Sequence, residues 1–358
     1  MPYHYSFTPS IVRSLQIVER VREMVRLTVL PPLVSEQLRI QAHIRSTHFS
    51  TRIEGNRLTL KEAEEVIQQG RLIPGRERDV QEVERYYQAL RQVENWVECD
   101  QKITETRIQK LHAILYTGRR TKATPYRDGQ NVIRDTNGGI VYMPPEANDV
   151  PELMTEMTKW IQSAKEEIPV PVIAGIAHYQ LVTIHPFYDG NGRTARTLAT
   201  WILYNEGYDL GKFYALEEFY SEDLEGYYEA LVTHPHHNYY FGRNKADITP
   251  WLDYFLKGMS VVFERVAQVV SQKAESGTDD SVAQELLRPL DHRARRILGL
   301  FAQQTSIQSG DVANLLGIST RQARELLSNW VGQGWLVVLD ASRRGRKYGL
   351  DEKYQDLL

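Results

Sequence analysis

Apolar residues recur at helical intervals along most of the chain. From Ser35, SEQLRIQAHIRSTHFSTRIEG places Leu38, Ile40, Ile44 and Phe49 at roughly helical spacing and stops at Gly55-Asn56, residues suited to a C-terminal cap. The next helix opens on TLKE, where Thr59 and Glu62 form a capping box. ERDVQEVERYYQALRQVENWV and ITETRIQKLHAILY predict two more helices. The pattern breaks over Tyr126 to Pro145: Val132-Ile133 and Ile140-Val141-Tyr142 flank DTNGG, which predicts a β-hairpin with a tight Asn-Gly turn. Helical spacing resumes in VPELMTEMTKWIQSA, PVIAGIAHYQLVTI and GRTARTLATWILYNEG, and TPWLDYFLKGMSVVFERVAQVV is a long amphipathic helix with Pro at its first turn. SQKAESGTDDS, 271–281, is polar and loses the period, which marks a domain boundary. Beyond it RARRILGLFAQQ, SGDVANLLGI and STRQARELLSNWVGQG predict three helices, and WLVVLDASRRGRKYGLD two short strands around a basic turn. The fold class is mainly α.

Length and charge refine this picture modestly. A chain of 358 residues suggests two or three domains, and 42% hydrophobic with 25% charged residues permits a sizeable core. The formal net charge of -3 is unevenly spread: from Arg288 onward there are 11 Lys+Arg against 7 Asp+Glu, a mild pointer to an anionic partner for that segment. The single cysteine, Cys99, excludes an internal disulfide and a multi-cysteine zinc site. MPYHYSFTPS lacks the basic and apolar regions of a secretory signal, and no apolar run approaches the ~18 residues of a membrane helix. The expectation is a soluble, cytoplasmic protein with no membrane contact. HPHHN, His234 to Asn238, lacks a Cys or carboxylate at ligand spacing and is expected to be a polar loop.

The chemistry concentrates in IHPFYDGNGRTAR, Ile184 to Arg196, between two predicted helices. A helix start offers unpaired N–H groups and the positive end of a dipole, an anion site. Gly190 and Gly192 flank Asn191 and let the backbone approach that anion, while Arg193 and Arg196 lie three apart on the following helix with guanidinium forks suited to phosphate oxygens. Asp189 is a hard oxygen ligand of the kind that holds Mg²⁺ against phosphates, and His185 titrates near neutrality and suits a general base. Phe187 is expected to anchor the loop in the core. Together these residues describe phosphoryl or nucleotidyl transfer from a nucleoside triphosphate to a hydroxyl.

HPFYDGNGRTAR resembles the Fic-family signature HPFx[DE]GNGRxxR at every defined position, and YRDGQNVI, AHYQLVTI, YYEAL and DITPWLDYFL follow the family's order over roughly Pro32 to Val270. The resemblance implies a Fic-type helical bundle that transfers AMP from ATP to a Ser, Thr or Tyr hydroxyl of a target protein and releases pyrophosphate. By it, His185 would be the base and Asp189 the Mg²⁺ ligand; Gly190, Asn191 and Gly192 would form the anion nest; Arg193 and Arg196 would bind the β- and γ-phosphates. The hairpin over 126–145 would be a flap on which the target's acceptor segment docks, and Tyr227 or Tyr228 would line the adenine pocket. A Doc-like phosphotransferase branch carries Lys where this chain has Gly192, which favours adenylylation; phosphocholine transfer also uses a Fic motif.

Upstream, STRIEGN places Ser50 and Glu54 four apart at a helix end, and a carboxylate there opposes the helix dipole, which invites a search for a cationic partner. The stretch resembles the Fic inhibitory motif [ST]xxxE[GN], which implies that Glu54 pairs with Arg196 and keeps ATP misplaced. Leu290 to Tyr354 resembles a winged helix-turn-helix domain, with STRQARELLSNW as recognition helix, Ser319 or Thr320 as its cap, and Arg343, Arg344, Arg346 and Lys347 on the wing. The expected organisation is an N-terminal helical region with the inhibitory helix (1–95), a Fic core (96–270), a linker (271–289) and the winged helix (290–358). Expected partners are a target protein, the chain itself as a self-modification substrate, DNA or protein at the winged helix, and a second copy in a homodimer. The rival reading is a DNA-binding transcriptional regulator whose Fic-like body senses nucleotide.

Overall fold

A computed structural model describes residues 3–118, 122–134, 138–276, 286–287, 289–301, 304–340, 342 and 345–357. The expected Asp135–Asn137 part of the hairpin turn, the 277–285 part of the linker, and Arg343 and Arg344 of the basic turn lie outside these residues. The body comprises α1 (Pro9–Leu27), α2 (Pro32–Ile53), α3 (Leu60–Gln69), α4 (Glu77–Glu98) and α5 (Glu105–Thr117), then the strands β1 (Ile133–Arg134) and β2 (Ile140–Tyr142). It continues with α6 (Val150–Ser163), α7 (Val170–Ile184), α8 (Asn191–Asn205), α9 (Leu216–Glu222), α10 (Leu224–Leu231) and α11 (Thr249–Ser276). Local signals set several of these ends. The Thr8, Thr59 and Thr104 side chains cap the N-termini of α1, α3 and α5, and left-handed Gly70 and Gly118 close α3 and α5.

Helix α7 is apolar on all sides and therefore central: Val172, Ile173, Ile176 and Leu181 are fully buried. It packs against α8 and α11, and α11 in turn covers α1. Gly175 makes the α7–α11 contact close, since a Cβ there would lie 2.9 Å from Phe255 and 3.0 Å from Leu252. Trp251 seals the same contact by donating its indole N–H to the Gly175 carbonyl at 2.7 Å. Burying side chains such as Phe255 and Phe263 contributes roughly 2–3 kcal/mol each, and such contacts hold the frame on which the site is built.

Two expected boundaries shift. The division at 95/96 falls inside α4, and one apolar core runs from Ile11 to Val270, so the N-terminal helices and the helices that follow pack as one body. The long helix α11 continues past Val270 to Ser276, because Gln272, Lys273 and Ala274 sustain a helix without an apolar period and Ala274 still packs on the core. A second core belongs to α12 (His292–Phe301), α13 (Ser309–Leu316), α14 (Thr320–Gly332), β3 (Leu336–Asp340) and β4 (Lys347–Leu350). Ser319 caps α14 in a capping box with Gln322, β3 and β4 pair antiparallel, and Ile307 bridges Tyr348. Helix α12 lies against α2. Among the described residues no helix is long and apolar enough to cross a membrane.

Candidate active site

The motif loop joins α7 to α8, and its backbone is held from behind. His185 ends α7 in the left-handed region at φ 52°, a conformation that a non-glycine residue adopts only when its surroundings enforce it. Arg127, at the start of the hairpin segment, supplies that enforcement. Its Nε donates to the His185 carbonyl at 2.9 Å, its backbone N–H donates to the Pro186 carbonyl at 2.9 Å, and another guanidinium nitrogen donates to Pro145. Asn191 staples the loop to itself, accepting from the Phe187 N–H at 2.9 Å and donating to the Phe187 carbonyl at 2.8 Å. Phe187 is buried and stacks on His112 with ring centroids 3.8 Å apart, and His112 Nε2 donates to the Asp189 carbonyl at 2.7 Å.

In front of this loop lies a cleft of about 800 Å³, with His185, Asp189, the Gly190–Gly192 turn, Arg196, Tyr227 and Tyr228 in its walls. The Val182 carbonyl can only accept, so His185 Nδ1, 3.3 Å away, carries the proton and Nε2 keeps a lone pair free for a base. Burial pushes the His185 pKa down to about 4, the Val182 carbonyl opposing that shift, so the imidazole is neutral at physiological pH. Gly190 adopts φ 78° as the N-cap of α8. Gly192 is required for proximity: a Cβ there would sit 2.5 Å from Glu54 Oε1.

Arg196 is buried on α8 and held from α2. Its Nε donates to Ser50 Oγ at 2.8 Å, and its NH2 to the Ser50 carbonyl at 3.1 Å and Glu54 Oε1 at 2.8 Å. Burial works against the Arg196 charge, and the Glu54 carboxylate outweighs it, leaving the guanidinium pKa raised. The structure thus brings His185, Asp189, the glycines, Arg196, Ser50 and Glu54 to one place.

It does not bring Arg193 there. That side chain turns to the other side of Asp189, 3.7 Å from its carboxylate, and lines a second cavity with Arg78 and Arg85. Of the two tyrosines, Tyr227 is packed into the wall with its hydroxyl 2.9 Å from His178 Nε2, while Tyr228 is half exposed in the cleft. Ile133, Arg134, Val141 and Tyr142 of the hairpin form the cleft's rim, and Ile140 and Val141 are exposed on β2.

Sequence reasoning missed His112 and Arg127. Both act through backbone carbonyls, and no spacing rule links Arg127 to His185 or His112 to Asp189. The only signal was indirect: the expected burial of Phe187 required a partner for its ring.

A glycine turn that opens α8 with unpaired N–H groups belongs to the class of anion sites at helix starts. Residues 102–203 match the Fic/DOC family, so the chain carries a Fic domain. A protein adenylyltransferase Fic from Nematostella vectensis is 28% identical over 264 residues, covering 72% of this chain and 53% of that protein. The protein adenylyltransferase fic-1 of Caenorhabditis briggsae is 34% identical over 175 residues, 46% of this chain and 33% of the relative. The chain therefore spans about half or less of the length of these curated relatives. The crystal structure of a Fic family protein from Desulfovibrio desulfuricans G20 matches with a TM-score of 0.62 and 26% identity over 98% of this chain and 99% of that one. That likeness runs through the C-terminal unit as well.

Proposed function

We propose that the chain is a protein adenylyltransferase that moves AMP from ATP to a hydroxyl of a target protein and is restrained by Glu54. The observation that carries this reading is the convergence of a neutral His185, the Gly190–Gly192 turn and Arg196 in one cleft. The acceptor oxygen attacks the α-phosphorus, its proton passes to His185 Nε2, the bond from that phosphorus to the β-phosphate oxygen breaks, and pyrophosphate leaves. The turn's N–H groups and the dipole of α8 stabilise the charge that develops on the phosphates. Asp189 offers a half-exposed carboxylate in the cleft, and among the described residues no group of three metal-ligating side chains exists. One carboxylate with phosphate and water oxygens fits Mg²⁺, which would neutralise phosphate charge when bound. In the resting arrangement Glu54 occupies Arg196, the guanidinium that the γ-phosphate needs. The exposed edge of β2 suits an extended acceptor segment, and Tyr228 suits contact with the base. The C-terminal unit is read as a winged helix whose partner is DNA or protein.

Radiolabelled ATP tests the reading. Glu54→Gly should raise incorporation of label into the protein or a lysate target, and His185→Ala in that background should remove it. Equal labelling by both variants would sink it.

A further inference from the structure

The second cavity, which Arg193 lines, is unexplained by the donor site. It has a volume of about 570 Å³ and is walled by Arg78, Glu82, Arg85, Tyr116, Asp189 and Arg193 among others. Asp189 belongs to both cavities, so its carboxylate stands between the donor cleft and this basic chamber. The charges in the chamber are not balanced. Arg78 pairs with Glu82 at 3.1 Å, whereas Arg85 donates only to the Tyr116 carbonyl at 2.7 Å and to Gln81 at 2.8 Å. Among the described residues Arg85 has no carboxylate partner. Arg193 is 5% exposed, and among the described residues its Nε has no hydrogen-bond partner and its one carboxylate neighbour, Asp189, stays 3.7 Å away. A buried guanidinium with an unused donor is costly unless an anion completes it.

We infer that this chamber is an anion subsite for pyrophosphate, the leaving group of the proposed transfer, on the far side of Asp189 from the donor cleft. The inference rests on that proposed reaction for the identity of the anion, and on the chamber's own residues for its charge. Pyrophosphate offers enough oxygens for both forks of Arg85 and Arg193, and bidentate guanidinium–phosphate geometry is the strongest pairing available to these side chains. Arg78 at the mouth is 83% exposed and can swing onto the same anion or release it to solvent. The subsite gives the leaving group a place that the Glu54–Arg196 pair does not occupy.

The test is calorimetric titration of inorganic pyrophosphate into the full chain, a readout that needs no turnover. Wild type should bind one pyrophosphate despite Glu54, and Arg85→Ala should weaken binding about tenfold or more, the loss expected for a charge-assisted contact. Arg85→Lys should recover part of it, and Arg78→Gln should weaken it less than Arg85→Ala does. Arg196→Ala, which removes the donor cleft's own guanidinium, should leave the affinity unchanged. If Arg196→Ala abolishes binding while Arg85→Ala does not, pyrophosphate sits in the donor cleft and the inference is overturned; absence of binding in wild type overturns it too. Failure of the labelling experiment with binding intact would instead count against the transfer reaction.

Discussion

Helix α2 is held by two buried charge clusters that differ in how they can open. At its C-terminal end, Arg196 meets Glu54 with the arginine side chain 1% exposed and the glutamate 27% exposed. Further back, His43 meets Glu94 at 3.0 Å, Lys212 bridges Glu94 and Glu98 at 3.1 and 3.3 Å, and Arg296 of α12 meets Glu98 at 2.7 Å. All five of those side chains are nearly inaccessible, and Glu94 is held well below the usual carboxylate range: burial opposes its charge, and His43 and Lys212 outweigh that burial. On the proposed reading, the first cluster releases its carboxylate to water and passes the guanidinium to a phosphate. The second cannot open without stranding charge in the interior. One end of α2 is built to let go, and the other fixes the helix to α4 and to the C-terminal unit.

The comparison breaks most severely at Glu98. Glu98→Ala leaves Arg296 and Lys212 buried without that partner and should cost about 3–5 kcal/mol in urea denaturation. A cost below about 1 kcal/mol would show that water already reaches the cluster, as at a surface pair. Glu54→Gly should cost less. It takes the carboxylate from a buried guanidinium, but the cleft beside Glu54 admits water, so stability should fall by about 1–3 kcal/mol. Labelling from ATP should nevertheless rise about tenfold, the factor that ~1.4 kcal/mol of competition for Arg196 represents. Unfolding curves and labelling measured on one preparation separate the two effects.

A histidine on α2 sharpens the contrast with pH. His48 is buried, and burial first, then the charges of Arg52 and Arg45, push its pKa down to about 4 from 6.5. Its neutral form is favoured in the folded chain, so this contribution is complete above pH 6.5 and is lost as pH falls toward 4. From pH 7 to pH 5 the loss should be about 2 kcal/mol, and His48→Gln should flatten that part of the profile. Denaturation midpoints of both proteins at the two pH values check it.

Much of this architecture was legible because helical periodicity, capping residues and the twelve-residue motif are local. Thr59–Glu62, Ser319–Gln322 and the Gly55 stop act within a few positions, and the structure shows each of them. The closed cluster was not legible. No local spacing links His43, Glu94, Glu98, Lys212 and Arg296, and only the packing of α2, α4, the Lys212 turn and α12 makes them one group. Arg193 shows the limit of the motif itself. Its spacing from Arg196 suggested a shared phosphate, yet these positions three apart on α8 carry the two side chains to different cavities.

Ser50 gives the smallest and most discriminating effect. Its hydroxyl accepts from Arg196 Nε, while its carbonyl and Glu54 take NH2. Ser50→Ala therefore removes one of three contacts and leaves a buried donor unmet, at a cost of about 1 kcal/mol in stability. With Arg196 less firmly turned toward α2, labelling should rise in the single variant but stay below that of Glu54→Gly. If Ser50 acts only by presenting Arg196 to Glu54, the double variant should label no faster than Glu54→Gly alone. A further rise in the double variant would mean that the serine restrains Arg196 on its own account, and that the open end of α2 has two independent latches where the geometry indicates one.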